Sequence, residues 1–204
     1  MESAAATCSS LGMRLAAGDT KVVPAGTVDG VYFTGSAFGR VMSPRPLGMS
    51  NLREGDSLVV TSSIGRHGAV IAAARFNLSV EGLTSDCAPL WPALEPLLGI
   101  DGLRCMRDCT RGGLGTVLCE WAESTGLHLS IDESALPVGE DVRSLCDVLG
   151  FDPVYMACEG CAVIAVAPSS VDLVLERLSS SPLCAGAAVI GGAVDVEPRG
   201  MVSM

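Results

Sequence analysis

The sequence has little of four things: aromatic residues, positive charge, histidine and long apolar runs. Aromatic residues make up only 4% of the 204 residues, so Val, Leu, Ala and Ile must fill any core. Thirteen Lys and Arg against 23 Asp and Glu give a net charge of −10, with only two His. This charge argues against a nucleic-acid binder, whose binding face is normally basic, but allows a local basic pocket for a nucleotide. No apolar run approaches the roughly 20 residues of a membrane span.

What is present indicates a packed protein with free thiols. The chain is 49% hydrophobic and 18% charged, which excludes a disordered chain. The N-terminal stretch "MESAAATCSS" lacks the basic and apolar blocks of a signal peptide. Nine cysteines are scattered through the predicted elements, without the spacing of a secreted disulfide scaffold. We therefore expect reduced thiols and a cytoplasmic protein.

The pattern of apolar residues predicts two parts. Residues 2–16 resemble a helix and Val31–Val41 a strand, and prolines, glycines and charges over 42–56 indicate a linker. From Ser57 onward strands and helices alternate, which predicts an α/β domain (α+β layers) with a mixed sheet and helices on one face. Within this domain we predict an irregular helix over "DCAPLWPALEPLLG", a helix ended by Gly150 and a glycine bulge in the strand "AAVIGGAVDV". We assign 51–204 to this domain. We interpret 1–50, which opens within a helix and has no sheet of its own, as the end of an N-terminal domain.

One loop stands out as a candidate site. The stretch "RDCTRGGLG", Arg107–Gly115, places charges, a hydroxyl and a glycine pair directly before a predicted helix at 114–125. A glycine-broken loop at a helix N-terminus presents backbone N–H groups to an anion. The alternative is a strand-to-helix connection whose glycines only allow the chain to turn.

Other polar stretches leave alternatives open. "GDTK" (18–21) offers a carboxylate for Mg²⁺ and an ammonium for phosphate, or is a solvated turn. His67 is a general-base candidate or a helix-start side chain. Asp86 precedes Cys87, but no neighbouring base activates this thiol. Cys105 with Cys109 and Cys158 with Cys161 have the spacing of zinc or redox pairs, although no histidine is near in sequence.

The order of these motifs carries a resemblance. "GDTKVVP", a Gly-His-Gly helix start, "SDCAPL", "RDxTRGGL" and an "EG" before a strand follow one another over about residues 8–196. This order resembles the aminoimidazole ribonucleotide synthetase superfamily, and within it the HypE family of hydrogenase maturation factors. The resemblance implies the C-terminal domain of that fold, with the tail end of the N-terminal domain that pairs into a barrel.

The resemblance also implies a reaction and its participants. Members of this family are ATP-dependent homodimers that dehydrate a cysteine thiocarboxamide to a thiocyanate, the source of cyanide ligands for [NiFe] hydrogenases. They receive the carbamoyl group from a HypF-type carbamoyltransferase and pass cyanide to a HypC–HypD iron carrier complex. The implied site comprises catalytic Asp108, Arg111 and Glu159, the ATP contacts Thr20, Lys21, Thr110, Gly112 and Gly113, and the magnesium ligand Asp19.

Four positions depart from the family pattern. Cys109 stands where the family usually has proline, Cys158 where it has asparagine, Cys161 where it has lysine, and Arg66 where it has aspartate. The resemblance also implies an earlier nucleotide-binding segment and an acceptor cysteine on a C-terminal tail, whereas this chain stops at "GMVSM". Three functions therefore stay open: a piece of a carbamoyl dehydratase, a non-catalytic nucleotide- or partner-binding fragment, and a cysteine-based metal or redox protein.

Overall fold

The structure, a computed structural model, describes residues 2–204 and divides into two units. The first unit ends at Met42 and begins with helix α1, Glu2–Ser10. This helix is shorter than the predicted 2–16 because Gly12 takes a left-handed φ of 66° and the N–H of Met13 turns back to the carbonyl of Cys8. The helix therefore ends in a glycine-stopped turn.

The predicted strand at Val31–Val41 is wrong. These residues have no regular secondary structure, and Phe38 is fully exposed while Val41 is 82% exposed. A strand needs a partner for its N–H and carbonyl groups and cover for its apolar face. The part of this unit that the structure describes contains no second strand to supply either.

The second unit, Ser43–Met204, is built on a six-stranded sheet. The strands are β1 (Ser57–Val60), β2 (Leu103–Asp108), β3 (His128–Ile131), β4 (Ala162–Val166), β5 (Ala188–Val194) and β6 (Val202–Ser203). Their order is β2-β4-β1-β5-β3-β6, antiparallel except for the parallel pair β3–β6. The expected mixed sheet of an α/β layer fold is confirmed.

Five helices accompany the sheet: α2 (Arg66–Arg75), α3 (Trp91–Leu94), α4 (Gly113–Thr125), α5 (Glu140–Leu149) and α6 (Val171–Ser179). The short α3 replaces a longer predicted helix. Pro92 is the second residue of α3, and Pro96 is the second residue of a separate 3-10 turn at Glu95–Leu97. Proline cannot donate the hydrogen bond that would continue one helix.

The helices cover both faces of the sheet, so the expectation of one covered face is wrong. Side chains alternate along β1: Leu58 and Val60 pack with α4 on one face, and Val59 packs with α3 and α6 on the other. Strand β4, which lies between β2 and β1, is buried along its whole length, which an uncovered face would not allow. Helices α2 and α5 pack on one another in a separate alanine-rich cluster.

The bulge predicted from the glycine pair in β5 is confirmed. The pairing register between β1 and β5 shifts between Leu58, opposite Gly191, and Val59, opposite Val189. Ile190 is the extra residue on β5 and is fully buried. The bulge therefore places an apolar side chain in the core beside α4.

Candidate functional site

Three chain connections meet at one edge of the sheet. Because β4 runs antiparallel to both β1 and β2, its beginning lies beside the ends of those two strands. The connections are residues 61–65 after β1, 109–112 after β2 and 156–161 before β4. Hydrogen bonds join them, from Cys109 N–H to the Cys161 carbonyl and from Cys158 N–H to the Cys109 carbonyl, both 3.0 Å. Tertiary structure thus brings the glycine loop and the segment containing Glu159 together.

The glycine loop has a geometry that only glycine allows. Gly112 and Gly113 both have left-handed φ values, 74° and 63°. A Cβ on Gly113 would lie 2.5 Å from the carbonyl oxygen of Val154 and 2.6 Å from that of Met156. The loop is therefore pressed against the segment before β4, and a side chain there would force the two apart.

Helix α4 begins at this loop with its N-terminus uncapped. No side chain accepts a hydrogen bond at its N-cap, Gly112, and the first turn contains no acidic residue. The first N–H groups of a helix lack intrahelical partners and attract anions through the helix dipole. The Gly113 N–H already donates to the Thr110 carbonyl at 3.3 Å, so the anion-loop interpretation depends on the later N–H groups of this first turn.

The two arginines of the loop differ in their environment. Arg107 forms an ion pair with Glu120 of α4. Arg111 is exposed and has no hydrogen bond or ion pair within residues 2–204. Between them, the Asp108 carboxylate accepts a 2.9 Å hydrogen bond from the Thr110 hydroxyl. Arg111 is thus the cation of this loop that can meet a ligand.

Glu159 is positioned by Asp86, a residue that the predicted site did not include. The Asp86 carboxylate accepts hydrogen bonds from the backbone N–H groups of Glu159, at 3.2 Å, and Gly160, at 3.1 Å. A Cβ on Gly160 would overlap the carbonyl of Asp86. The signal in the sequence was the motif "SDCAPL", whose aspartate works through backbone contacts far along the chain.

Replacing Asp86 by alanine is expected to lower the free energy of unfolding by about 1–3 kcal/mol, because two half-buried N–H groups lose their acceptor. Asparagine retains one acceptor oxygen and is expected to cost less than alanine. Urea unfolding measures both effects, with the exposed Glu81→Ala as a control. Equal stability of Asp86→Ala and Glu81→Ala would contradict the positioning role.

The remaining predicted residues lie in the N-terminal unit. Asp19, Thr20 and Lys21 line a concave surface of that unit, together with Tyr32 and Phe33. The Asp19 carboxylate accepts a 2.8 Å hydrogen bond from the backbone N–H of Thr20, as in a polar turn. No group of three or more His, Cys, Asp or Glu side chains in residues 2–204 is arranged to hold a metal ion.

The side chains of His67 and Arg66 contact the segment before α3. The Nδ1 atom of His67 lies 2.9 Å from the Ser85 hydroxyl oxygen. Arg66 forms an ion pair with Asp141 at 3.0 Å and donates to the Thr84 carbonyl at 3.1 Å. Both side chains therefore attach the start of α2 to its neighbours.

Cys109, Cys158 and Cys161 form a buried thiol cluster beneath the glycine loop. All three have zero solvent exposure. Hydrogen bonds from the Cys109 and Cys158 thiols lower the pKa of Cys161, and the same hydrogen bonds, with burial, raise the pKa values of Cys109 and Cys158. All nine cysteines are free thiols.

Among residues 2–204, none of the helices combines the length and apolar character that crossing a bilayer requires.

Comparison with protein families gives a match over most of the second unit. A family model described as "AIR synthase related protein, C-terminal domain" covers residues 53–202. The carbamoyl dehydratase HypE of Rhodobacter capsulatus is 40% identical over 195 residues, which are 95% of this chain and 57% of the relative. HypE of Escherichia coli K12 is 40% identical over 194 residues, 95% of this chain and 58% of the relative. The chain thus spans somewhat more than half the length of these relatives.

Solved structures agree with this similarity. The match to the crystal structure of E. coli HypE covers 98% of this chain and 62% of the E. coli chain. Its TM-score is 0.86, and the two sequences are 38% identical. HypE in complex with ATP matches 97% and 61% with a TM-score of 0.88 at 31% identity. A HypE–HypF complex matches 98% and 66% with a TM-score of 0.86 at 32% identity. The resemblance predicted from the order of the motifs is confirmed.

Proposed function

The chain belongs to the AIR synthase related family through its C-terminal domain, and we propose that it is the part of a HypE-type carbamoyl dehydratase that contributes the catalytic loop. The activity of the whole protein is part of this proposal, since the chain spans 57% and 58% of two HypE relatives. The observation that supports it most is unpaired Arg111 beside the uncapped N-terminus of α4.

ATP is the proposed nucleotide, because one of the similar HypE structures is a complex with ATP. The residues fit a polyphosphate: Gly112 and Gly113 let the backbone approach closely, and the first N–H groups of α4 and the Arg111 guanidinium supply positive charge. The Thr110 hydroxyl donates to Asp108 in this structure, so it would donate to a phosphate only after releasing that carboxylate. When bound, ATP would activate the carboxamide oxygen so that it can depart as a leaving group.

In the N-terminal unit, Lys21 and Thr20 are the proposed phosphate contacts and Asp19 the proposed ligand of Mg²⁺. A single carboxylate is compatible with this ion, because Mg²⁺ in nucleotide sites keeps waters and phosphate oxygens as its other ligands.

Loss of water from a carboxamide also requires that protons leave its nitrogen. We assign this proton transfer to Glu159. Its half-buried carboxylate accepts no hydrogen bond within residues 2–204, and Asp86 holds its backbone in place. Asp108 fixes Thr110 through the hydroxyl hydrogen bond and thereby orients the loop. Arg111 would neutralise charge that develops on the departing oxygen.

The proposed partners follow from the same assignment. A HypF-type carbamoyltransferase would deliver the carbamoyl group, in line with the structural similarity to HypE in a HypE–HypF complex. A HypC–HypD complex would receive the cyanide, and a second copy of the complete protein would complete a homodimer. The nine free thiols support a reducing cytoplasm as the compartment.

A chimera tests this proposal. Residues 1–204 replace the matching segment of E. coli HypE in a strain that lacks its own copy, and [NiFe] hydrogenase activity is measured. Restored activity is the expected result, and Glu159→Gln in the same chimera is expected to abolish it. A folded chimera that binds ATP but restores no activity would support the non-catalytic alternative.

The isolated chain is expected to bind ATP weakly, because a phosphate site open to water loses most of its Coulomb energy.

A further inference from the structure

The buried thiol cluster has a geometry suited to covalent pairing. Asp108 pairs with Ala162 across the antiparallel ladder between β2 and β4, so the continued register places Cys109 opposite Cys161. The hydrogen bond from Cys109 N–H to the Cys161 carbonyl, 3.0 Å, continues that register beyond the assigned strands. Residues directly opposite in an antiparallel pair have Cα atoms about 4.5–5.5 Å apart. That separation falls within the range of about 4.4–6.8 Å that a disulfide bridges.

The three sulfur atoms have different partners. The Cys161 thiol lies 3.5 Å from the Ser62 carbonyl oxygen. The Cys158 sulfur accepts a 3.1 Å hydrogen bond from the backbone N–H of Gly65, the N-cap residue that precedes α2. Moving the Cys158 sulfur toward Cys161 would break that contact. Cys109, by contrast, has no contact of this kind with a helix. Hydrogen bonding to Cys161 and burial raise the pKa of the Cys109 thiol.

A small oxidant has a short route to Cys161. Ser62 and Gly160 line an open cleft of about 300 Å³ together with Asp86 and Arg66. Cys161 follows Gly160 in the chain, and its thiol contacts the backbone of Ser62. The buried Cys161 sulfur therefore contacts a residue that lines the cleft, and a local opening of the loop would expose it.

We propose that Cys109 and Cys161 are an oxidation site that reacts with hydrogen peroxide and closes to a disulfide beneath the glycine loop. The Cys161 thiolate attacks one peroxide oxygen, the O–O bond breaks, and the other oxygen leaves as water after taking a proton. The sulfur of Cys109 then attacks the Cys161 sulfenic acid, forming the S–S bond and releasing a second water. Two thiols lose two electrons and two protons, and the peroxide is reduced to two waters.

This site is independent of the proposed dehydratase reaction. It requires neither ATP nor a carbamoyl donor, and a failed chimera would leave it untouched. The disulfide would join the residue after β2 to the residue before β4, and so fix the base of the loop that carries Arg111.

The whole chain and hydrogen peroxide suffice for the test. The exposed thiols of Cys87 and Cys119 are first capped with iodoacetamide, the chain is treated with peroxide, and the remaining thiols are alkylated in acid-quenched, denatured protein. Trypsin releases residues 108–111, whose only cysteine is Cys109. A protease specific for glutamate cuts after Glu159 and separates Cys158 from Cys161.

The expected product is a crosslink between the peptide containing Cys109 and the fragment that begins at Gly160. A sample taken before the final alkylation should show the intact chain two hydrogen atoms lighter. Cys109→Ser and Cys161→Ser should abolish this loss, whereas Cys158→Ser and the buried control Cys105→Ser should retain it. The peptide map of the unaltered chain stands even where a serine variant fails to fold. A bond between Cys158 and Cys161 with Cys109 alkylated, or three alkylated thiols after treatment, would overturn the proposal.

Discussion

Arg111→Ala in the chimera is expected to weaken ATP binding and hydrogenase maturation by about 10- to 150-fold. A hydrogen bond to a charged group contributes about 1.5–3 kcal/mol, and each 1.4 kcal/mol corresponds to a factor of ten. Arg111 has no partner within residues 2–204, so its removal leaves no other group of the chain unpaired. The stability of the Arg111→Ala variant should therefore change little. Calorimetric titration measures its ATP affinity, and thermal unfolding measures its stability.

Arg107→Ala is the matched control, because this arginine lies four residues earlier and is already paired with Glu120. An exposed ion pair contributes about 0–1 kcal/mol, so this variant should bind ATP nearly as well as the parent. If the two variants bind ATP equally, the loop is a connection between β2 and α4 and does not contact the nucleotide.

Gly113→Ala is expected to lower the free energy of unfolding by about 2–5 kcal/mol. The left-handed backbone at φ 63° costs an alanine about 1–2 kcal/mol. The new Cβ would also lie within 2.6 Å of the Val154 and Met156 carbonyl oxygens, and overpacking of this kind costs about 1–3 kcal/mol. Chemical denaturation followed by circular dichroism measures the change.

Gly126→Ala separates these two contributions. Gly126 ends α4 with a φ of 70°, but nothing lies within 4 Å of the Cβ it would gain. This variant should lose only the backbone contribution of about 1–2 kcal/mol. Similar losses in both variants would mean that the segment before β4 moves away from Gly113 without cost, and that the close approach does not hold the loop.

Much of the second unit could be predicted because its signals are local. The continuous apolar run of β4 and the shorter apolar run of β1 depend only on neighbouring residues. The glycine pair in β5 indicated its bulge, and Gly150 marked the end of α5, where it takes a φ of 69°. The order of the polar motifs carried the resemblance to the HypE family, which the sequence comparisons confirm.

Other features depend on which segments meet, and no local pattern contains that information. The sequence predicted helices on one face of the sheet, whereas α4 covers one face and α6 covers the other. The Val31–Val41 stretch has strand-forming residues, yet a strand exists only where another supplies hydrogen-bond partners.

By itself, the sequence determined the identities that chemistry requires: glycines where the loop turns, an arginine and carboxylates beside it, and thiols in the connections beneath it. Tertiary structure alone decided their relations. It paired Arg107 with Glu120 and left Arg111 unpaired, and it placed Asp86 under the backbone of Glu159 from 73 residues away. It also set Cys109 opposite Cys161 through the register of β2 and β4. Charge and hydrogen bonding act over a few ångströms in space, so only the folded chain defines these partners.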